Sequence, residues 1–259
     1  MRIGLLSDIH FSRKPHQLAC ALNTLSSISC LLVAGDLADQ ADLAQYNLLH
    51  TFIRQQMGDT PVYCVSGNHD NPARNDAAYR QFEHQIHPSL LLDESGAFHQ
   101  PLGTEVDLIG LNPAYHQKQF FFPERGQQLA FLQQTLATST AHIHIILCHP
   151  PLLAHNPQRG NGMPPYIVRE QNARLQQLVD EHTGIFFISG HTHLAPTVEW
   201  DETRRNLYIN NGSICPTITE EKSIQQGNAT LQEIETNAVS LTISGIHTGK
   251  IFHQQTYQW

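Results

Sequence analysis

Five short apolar runs recur along the 259-residue chain, and each one ends in a polar motif. Runs of four to six apolar residues that stop at glycine or polar residues are typical of buried strands. Between them lie segments with apolar residues three and four positions apart, which predict helices. The apolar runs are 3–6, 31–34, 62–65, 143–148 and 185–188, and the helical segments are 17–26, 43–56, 125–136 and 172–179. Strands that alternate with helices indicate βαβ units around a largely parallel central sheet.

The last third of the chain has a different pattern. Val239, Leu241 and Ile243 alternate with polar residues, and residues 228–258 as a whole predict a meander of half-exposed antiparallel strands. We therefore expect an α/β protein with a single domain over residues 1–259. Its catalytic core would span 1–215, and antiparallel strands in 216–259 would pack on that core. The loop at 152–168 is long for a connection, which favours a functional lid or rim.

Charge and cysteine content exclude several classes of protein. The formal net charge is −8 and no basic run occurs, which argues against nucleic acid as a partner. The five cysteines form no CxxC pair, so neither a disulfide framework nor a zinc ribbon is indicated. No apolar run approaches 18 residues, so no membrane span is expected, and the first run is too short for a signal peptide. These features predict a cytoplasmic protein with reduced thiols.

The polar motifs that follow the apolar runs carry the candidate chemistry. Ligands of open α/β sheets bind outside the carboxyl ends of the strands, so these side chains should converge at one edge. Their donors are carboxylate oxygens, imidazole nitrogens and one amide oxygen, which suit Mn, Fe, Zn, Co or Ni better than a soft metal. Seven ligands are too many for one metal and suit two metals that share a carboxylate. The seven are Asp8, His10, Asp36, Asn68, His149, His191 and His193.

Several of these residues also have an interpretation without metal. The chain has 17 histidines, and Asp8 or Asp36 taken singly could cap a helix or form a turn. Asp70 could orient the site or cap the following segment, and Cys148 is expected to pack in the core. Four loop residues could reach a substrate phosphate or simply be solvated, namely Arg74, Asn112, His116 and Arg159.

Five motifs occur in a fixed order, and together they define a resemblance. They are Asp8-Ile9-His10, Gly35-Asp36, Gly67-Asn68-His69-Asp70, His149 and Gly190-His191-Thr192-His193. Over residues 3–213 the chain resembles the calcineurin-like (binuclear) metallophosphoesterase superfamily. The resemblance implies a four-layer αββα sandwich with a mixed central sheet and C-terminal antiparallel strands.

The resemblance also assigns roles to the motif residues. It implies two divalent or trivalent metal ions, of Mn, Fe, Zn or Co, and in-line attack on a phosphoester by a metal-bridging hydroxide. His69 matches the family's catalytic histidine that is not a ligand, and Asp39 the carboxylate that often supports it. Asp39 or Asp70 could hold the His69 imidazole in the useful tautomer. The implied ligand sets are Asp8, His10 and His193 for one metal, Asn68, His149 and His191 for the other, and Asp36 as the bridge.

The substrate class is narrowed by the residues beside the motifs. Gln40 stands where Ser/Thr protein phosphatases carry arginine, and Asp70 where they carry glutamate, so that branch is disfavoured. Residues 35–39, 67–71, 149–151 and 211–213 are most similar to class III cyclic nucleotide phosphodiesterases and glycerophosphodiesterases. We therefore expect a phosphodiesterase that hydrolyses small phosphodiesters.

Three alternatives stay open at this point. One is another phosphoesterase: a phosphomonoesterase, a nucleotide or lipid pyrophosphatase, or a nuclease, although the lack of a basic run disfavours the last. Another is a non-enzymatic scaffold, which the complete set of motif residues disfavours. Relatives with C-terminal strands often dimerise, so the resemblance also allows a homodimer.

Overall fold

The computed structural model describes residues 1–11, 15–72, 75–158, 166–215, 217–218, 224–225, 227–235 and 237–258. Arg74, Arg159 and residues 159–165 of the predicted loop at 152–168 lie outside these residues. The helices within them are α1 (His16–Thr24), α2 (Leu43–Met57), α3 (Ala77–Ile86), α4 (Pro123–Thr138) and α5 (Arg169–Asp180). The strands within them are β1 (Arg2–Leu6), β2 (Cys30–Ala34), β3 (Val62–Val65), β4 (Phe98–Pro101), β5 (Val106–Leu111), β6 (Ala114–His116), β7 (Gln119–Phe121), β8 (Ile143–Cys148), β9 (Tyr166–Ile167), β10 (Ile185–Ser189), β11 (Thr197–Asp201), β12 (Asn206–Asn210), β13 (Thr217–Ile218), β14 (Ile224–Gln225), β15 (Asn228–Ile234), β16 (Ala238–Gly245) and β17 (Ile251–Gln258).

Most of these strands belong to two mixed sheets of six strands each. The first sheet has the order β17-β16-β15-β1-β2-β3, with β1, β2 and β3 parallel and β15–β17 antiparallel. The second has the order β11-β12-β10-β8-β5-β4, with four parallel strands between antiparallel outer strands. The predicted α/β class is confirmed. The expectation of one largely parallel central sheet is corrected, because the five apolar runs divide between two sheets.

The two sheets pack face to face, and helices cover their outer faces. Successive strand residues point to opposite faces, so Leu31 packs towards the helices of the first sheet while Leu32 packs between the sheets. Ile145 and Phe186 of the second sheet meet Leu32 in the same inner cluster. Helices α1–α3 cover the first sheet, and α4 and α5 cover the second. The layers therefore follow the order helix, sheet, sheet, helix.

The elements predicted from the sequence are present, but helix α3 and several strands, β5 among them, were not predicted. All four predicted helices and the strands β1, β2, β3, β8 and β10 are present, and the meander at 228–258 forms β15–β17. Helix α3 and strand β5 were not predicted, and in β5 both Asp107 and Gly110 interrupt the apolar run. Cys148 is fully buried in the outer core of the second sheet, as expected. Among the described residues, none of the helices has the length and apolar character that crossing a membrane requires.

Candidate metal centre

The predicted ligands lie at the carboxyl ends of strands from both sheets. In the first sheet Asp8 and His10 follow β1, Asp36 follows β2, and Asn68 follows β3. In the second sheet His149 follows β8, and His191 and His193 follow β10. The sequence predicted that all of the ligands lie at one sheet edge. The structure places them instead at the edges of two sheets, and these two edges meet. The amide of His191 donates to Asp8 Oδ2 over 3.0 Å and joins the two edges directly.

Four of the predicted ligands form a first cluster. Asp8, His10, Asp36 and His193 each offer one donor atom, and all four atoms lie within 4.8 Å of one another. The Nε2 atoms of His10 and His193 are 3.0 Å apart, and His193 Nε2 is 3.2 Å from Asp8 Oδ1. Zinc–nitrogen bonds are about 2.0–2.1 Å long, so nitrogen atoms at this separation can share one ion.

A second cluster lies beside the first and shares Asp36 with it. Asp36, His149 and His191 also bring three donor atoms within 4.8 Å of one another. His149 Nε2 is 3.4 Å from Asp36 Oδ2 and 3.1 Å from His191 Nδ1. The same Asp36 oxygen lies 3.7 Å from His10 Nε2 of the first cluster. One carboxylate oxygen thus faces both clusters.

The backbone at these ligands adopts a conformation that L-residues rarely use. Left-handed φ angles occur at Asp8 (51°), His10 (44°), Asp36 (52°), His191 (72°) and His193 (51°). Such residues cost about 1–3 kcal/mol each and persist only where the surrounding structure holds them, and they cluster at functional sites. Here the loops after β1 and β2 stabilise each other. The amides of Asp8 and His10 donate to the carbonyls of Gly35 and Asp36, each over 3.0 Å.

Two motif glycines permit the close approach of these loops. Gly35 has φ of 81°, and a Cβ atom there would lie 2.5 Å from His149 Nδ1. A Cβ atom on Gly67 would collide with the carboxylate and the backbone of Asp36. Any larger side chain at either position would push a predicted ligand out of its place.

Hydrogen bonding and charge set the protonation of the second cluster. His149 Nδ1 donates to the Ala34 carbonyl over 2.6 Å, which directs Nε2 towards Asp36. Burial alone would lower the pKa of His149, but the Asp36 carboxylate outweighs burial and raises this pKa to about 9. Burial and the neighbouring His149 lower the pKa of His191 to about 3. Burial opposes ionisation of Asp36, yet the charge of His149 keeps the Asp36 pKa below its ordinary value.

The donor atoms fit the metals that the family uses. Asn68 Oδ1 and His191 Nε2 are buried and have no hydrogen-bond partner within the part of the chain that the structure describes. A buried polar atom without a partner is costly, and a bound cation would satisfy the amide oxygen. The set of nitrogen and oxygen donors without sulfur suits Mn, Fe, Zn or Co.

The predicted catalytic histidine lies beside the first cluster. His69 is exposed, its ring is 4.6 Å from the ring of His10, and its Nδ1 donates to the backbone carbonyl of Asp39 over 2.8 Å. This contact differs from the expected one, in which the Asp39 carboxylate supports His69. The carboxylate lies instead with Oδ1 3.4 Å from His10 Nδ1. Asp39 thus contacts the two histidines with different groups.

Asp70 orients loops, and its bonds do not include the His69 imidazole. Its buried carboxylate accepts from the amides of Leu37 at 3.1 Å and Gly67 at 2.9 Å, and from the Tyr46 hydroxyl at 2.6 Å. The next α-helix begins only at Ala77, and among the described residues the Asp70 carboxylate accepts from none of the amides that follow it. Asp70 therefore positions the loops that carry Asp36 and Asn68.

Other residues near the site were not found from the sequence. The ring of Phe120, in the short strand β7, lies 5.0 Å from the ring of His191. Asn210 donates to the Gly190 carbonyl over 2.7 Å and accepts from Thr192 Oγ1 over 2.8 Å, so it braces the histidine loop. Asn210 follows the apolar residues 207–209, which is a usable signal, whereas nothing in the sequence marks Phe120.

The two loop candidates that the structure describes have different surroundings. Asn112 is 3% exposed and its side chain is fully hydrogen bonded, so it does not reach a substrate. His116 is partly exposed at the end of β6.

The two clusters that share Asp36 have the donor atoms and the spacing that a pair of metal ions needs, and sequence comparison indicates the class of protein. The model of the calcineurin-like phosphoesterase superfamily domain matches residues 1–236, and the chain belongs to this superfamily. A protein of Synechococcus sp. named as a probable cyclic nucleotide phosphodiesterase is 25% identical over 166 residues. That match covers 64% of this chain and 58% of the relative.

Solved structures show the same fold at low identity. A purple acid phosphatase from yellow lupin (Lupinus luteus) seeds matches all of this chain and 53% of its own, with a TM-score of 0.71 and 12% identity. GAP50, the anchor in the inner membrane complex of Plasmodium, matches all of this chain and 88% of its own, with a TM-score of 0.64 and 13% identity. The chain thus spans about half the length of the lupin enzyme. A phosphatase and an anchor protein share this fold, so the function must be argued from the site.

Proposed function

We propose that this protein is a binuclear metal-dependent phosphodiesterase that acts on small phosphodiesters. One observation carries the proposal: Asp36 Oδ2 lies between two clusters that each bring at least three donor atoms within 4.8 Å. A shared carboxylate oxygen is the arrangement expected of a metal pair. Asp8, His10 and His193 would hold one ion with Asp36, and Asn68, His149 and His191 would hold the other.

The substrate class rests on two further observations. The relative from Synechococcus is named as a probable cyclic nucleotide phosphodiesterase, which supports a 3′,5′-cyclic nucleotide as substrate. A glycerophosphodiester is the second candidate, because the motifs also resemble those of glycerophosphodiesterases. The net charge of −8 and the absence of a basic run disfavour a nucleic-acid chain. A small diester brings one negative charge, so it needs no extended basic groove.

The residues of the chain have distinct tasks in this reaction. When bound, two metal ions would neutralise phosphate charge and supply hydroxide near neutral pH. His69 donates from Nδ1 to Asp39 O, which leaves Nε2 as the nitrogen that can deliver a proton to the leaving oxygen. The left-handed backbone at Asp8 and Asp36 holds their carboxylates in place before substrate arrives.

A direct assay tests the proposal. The protein loaded with Mn²⁺ is assayed on bis-(p-nitrophenyl) phosphate, p-nitrophenyl phosphate, a 3′,5′-cyclic nucleotide and a glycerophosphodiester. We expect the diesters to be hydrolysed with a higher kcat/KM than the monoester. A preference for the monoester would indicate a phosphomonoesterase, and metal binding without any turnover would indicate a scaffold.

A matched pair of variants makes this test specific. Asp36→Asn should abolish the hydrolysis. Asp107→Asn changes a buried carboxylate on β5, remote from both clusters, and should retain it. Equal activity of the two variants would contradict the proposed site.

A further inference from the structure

A buried asparagine at the carboxyl end of β5 contacts the strand that carries a predicted metal ligand. Asn112 Oδ1 accepts from the Ser66 amide over 2.7 Å, and its Nδ2 donates to the Gly96 carbonyl over 2.8 Å. The Tyr79 hydroxyl also approaches Oδ1, at 3.3 Å. Both polar atoms of this side chain are therefore occupied by protein groups.

A second buried side chain fixes Asn112 itself. Gln128 of α4 is fully buried, and its Oε1 accepts from the Asn112 amide over 2.7 Å. Its Nε2 donates to the carbonyls of Asn112 and Ser95, each over 2.9 Å. Gln128 thus fixes the backbone of Asn112, and the bonds to Ser66 and Gly96 orient its side chain. The position of this amide oxygen is set by helix α4 of the second sheet's outer layer.

The Ser66 amide needs this partner because of its place in the first sheet. Strand β3 is the outer strand of that sheet, and its pairing with β2 ends at Val65 opposite Ala34. Ser66 is buried, so its amide has neither a strand partner nor open solvent. Without the oxygen of Asn112, this buried amide would lose its hydrogen-bond partner and the loop would lose one of its attachments.

The segment held in this way leads directly to Asn68. Ser66 lies two residues before Asn68, whose Oδ1 is buried and has no hydrogen-bond partner among the described residues. Gly67 between them donates to Asp70 Oδ2 over 2.9 Å and packs against Asp36. Asn112 thus holds one side of this loop while Asp70 holds the other.

We propose that Asn112 is a positioning residue for the second metal, because it fixes the loop that presents the Asn68 amide oxygen. This inference rests on the proposed role of Asn68 as a ligand. The contact also crosses from the second sheet to the first, so it sets the distance between Asn68 and the histidines of the second cluster. Loss of the contact should weaken one metal and leave the other in place.

The fold supplies a matched control at its opposite end. Asn206 is fully buried at the start of β12; its Oδ1 accepts from the Ile185 amide over 2.9 Å, and its Nδ2 donates to the Val179 carbonyl over 3.2 Å. Asn206→Ala therefore removes the same kind of bonds as Asn112→Ala. It does so at the amino-terminal end of the strands, away from the ligands.

The experiment measures metal binding to the metal-free protein by titration calorimetry with Mn²⁺. In Asn112→Ala we expect one of two binding events to weaken by about 10–100-fold, the range typical of a lost supporting residue, while the other keeps its affinity. Asn206→Ala should leave both events unchanged. Hydrogen exchange of the metal-free protein gives a second readout, and exchange at residues 66–68 should speed up in Asn112→Ala alone.

Each further outcome bears on a different claim. Unchanged affinities in Asn112→Ala, or the same losses in both variants, would overturn the positioning role. Asn68→Ala separates this from the proposed function: if Asn68→Ala binds two ions as tightly as the wild type, the ligand assignment itself fails. Should Asn112→Ala not fold, Asn112→Leu keeps a side chain of similar size and removes the oxygen that accepts from the Ser66 amide. We then expect the same loss at the same event, and no loss would overturn the proposal.

Discussion

Histidine and aspartate side chains lie close together at both ends of the second sheet, but only the cluster at the carboxyl end has the geometry of a metal site among the described residues. At the carboxyl end, His149, His191 and Asp36 bring three donor atoms within 4.8 Å. At the amino end, Asp107 Oδ2 lies 3.1 Å from His99 Nε2 and 3.8 Å from His144 Nδ1. In the described part of the chain, the amino-end group does not bring three donors within that limit.

The difference lies in the backbone that carries the side chains. His99, Asp107 and His144 stand on the regular strands β4, β5 and β8, where spacing follows the sheet. The carboxyl-end ligands stand on loops, and five of them have left-handed φ angles. The spacing of a polar cluster on strands is thus set by the sheet. Loops with left-handed residues can instead direct three or four donor atoms towards one point.

The largest expected effect comes from removing the shared carboxylate. Asp36→Ala takes away the oxygen that faces both clusters, so we expect metal affinity to fall by more than about 100-fold at both sites and activity to be lost. Asp107→Ala at the amino end should keep both metals. Elemental analysis of the two purified variants makes the measurement, and two metals per chain in Asp36→Ala would contradict the bridge.

A smaller effect, on chemistry alone, is expected at His69. His69→Ala should bind both metals and lower kcat by about 10²–10⁴-fold for alkyl diesters, whose leaving oxygen needs a proton. The loss should shrink for p-nitrophenyl esters, which leave as stable anions. The measurement is kcat across esters of rising leaving-group pKa. An equal loss for every ester would assign His69 to phosphate positioning instead.

A variant of Asp39 distinguishes two roles for its carboxylate: support of His10, as observed, or support of His69, as the resemblance implies. Asp39→Ala keeps the backbone carbonyl that accepts from His69 and removes the carboxylate 3.4 Å from His10 Nδ1. We expect metal affinity to weaken by about 10–100-fold and the dependence on leaving group to stay as in the wild type. A steeper leaving-group dependence with unchanged metal affinity would show that the carboxylate serves His69.

The two ends should also respond to pH with opposite signs. Near the carboxyl end, burial raises the pKa of Glu83 to about 7 from 4.5, against the charge of Arg80. The folded protein therefore binds a proton more readily than the unfolded chain, and this group makes the free energy of unfolding fall as pH rises from 4.5 to 7. Urea unfolding of Glu83→Gln should show a gain of about 3 kcal/mol relative to the wild type between pH 4.5 and 8. A constant difference would contradict a shifted Glu83.

The smallest effect is expected at the amino end. Burial lowers the pKa of His144 below 6.5, and the neighbouring His182, His99 and His142 act in the same direction against Asp107. The unfolded chain then binds the proton more readily, so this group makes stability rise with pH until about 6.5 and stay level above it. His144→Gln should lose that rise in urea titrations while metal content stays unchanged. A change in metal content would mean that the two ends are coupled.

Much of this fold was predictable because the central strands are short apolar runs that end at glycine or polar residues. Helix α3 was missed although Tyr79, Phe82 and Ile86 repeat at helical spacing, because the buried Glu83 breaks the apolar face. The apolar pattern alone did not predict the division into two sheets, since a run of apolar residues does not show which neighbour its strand will pair with. The resemblance to the superfamily did predict it, because it implied the four-layer αββα sandwich that the structure confirms.

The site was predictable where its residues act through side chains in ordered motifs. All seven predicted ligands lie at the ends of strands, and six of them, all except Asn68, belong to the two clusters. The contacts that hold these ligands in place were harder to predict from the sequence. Asp39 contacts His69 through its backbone carbonyl, a group that every residue has, so the residue type gives no signal. Asn112 binds the Ser66 amide from 46 positions away in the sequence. Such contacts depend on how loops meet in space.

The bond between the His191 amide and Asp8 joins residues 183 positions apart and, with them, the two sheets. A metal pair held across that seam would bind only the molecule in which both sheets have already docked. Free energy from ion binding then adds to the whole sandwich, by about 2.7 kcal/mol when free metal exceeds its dissociation constant 100-fold. Metal depletion would therefore lower the stability of the folded protein as well as abolish its activity.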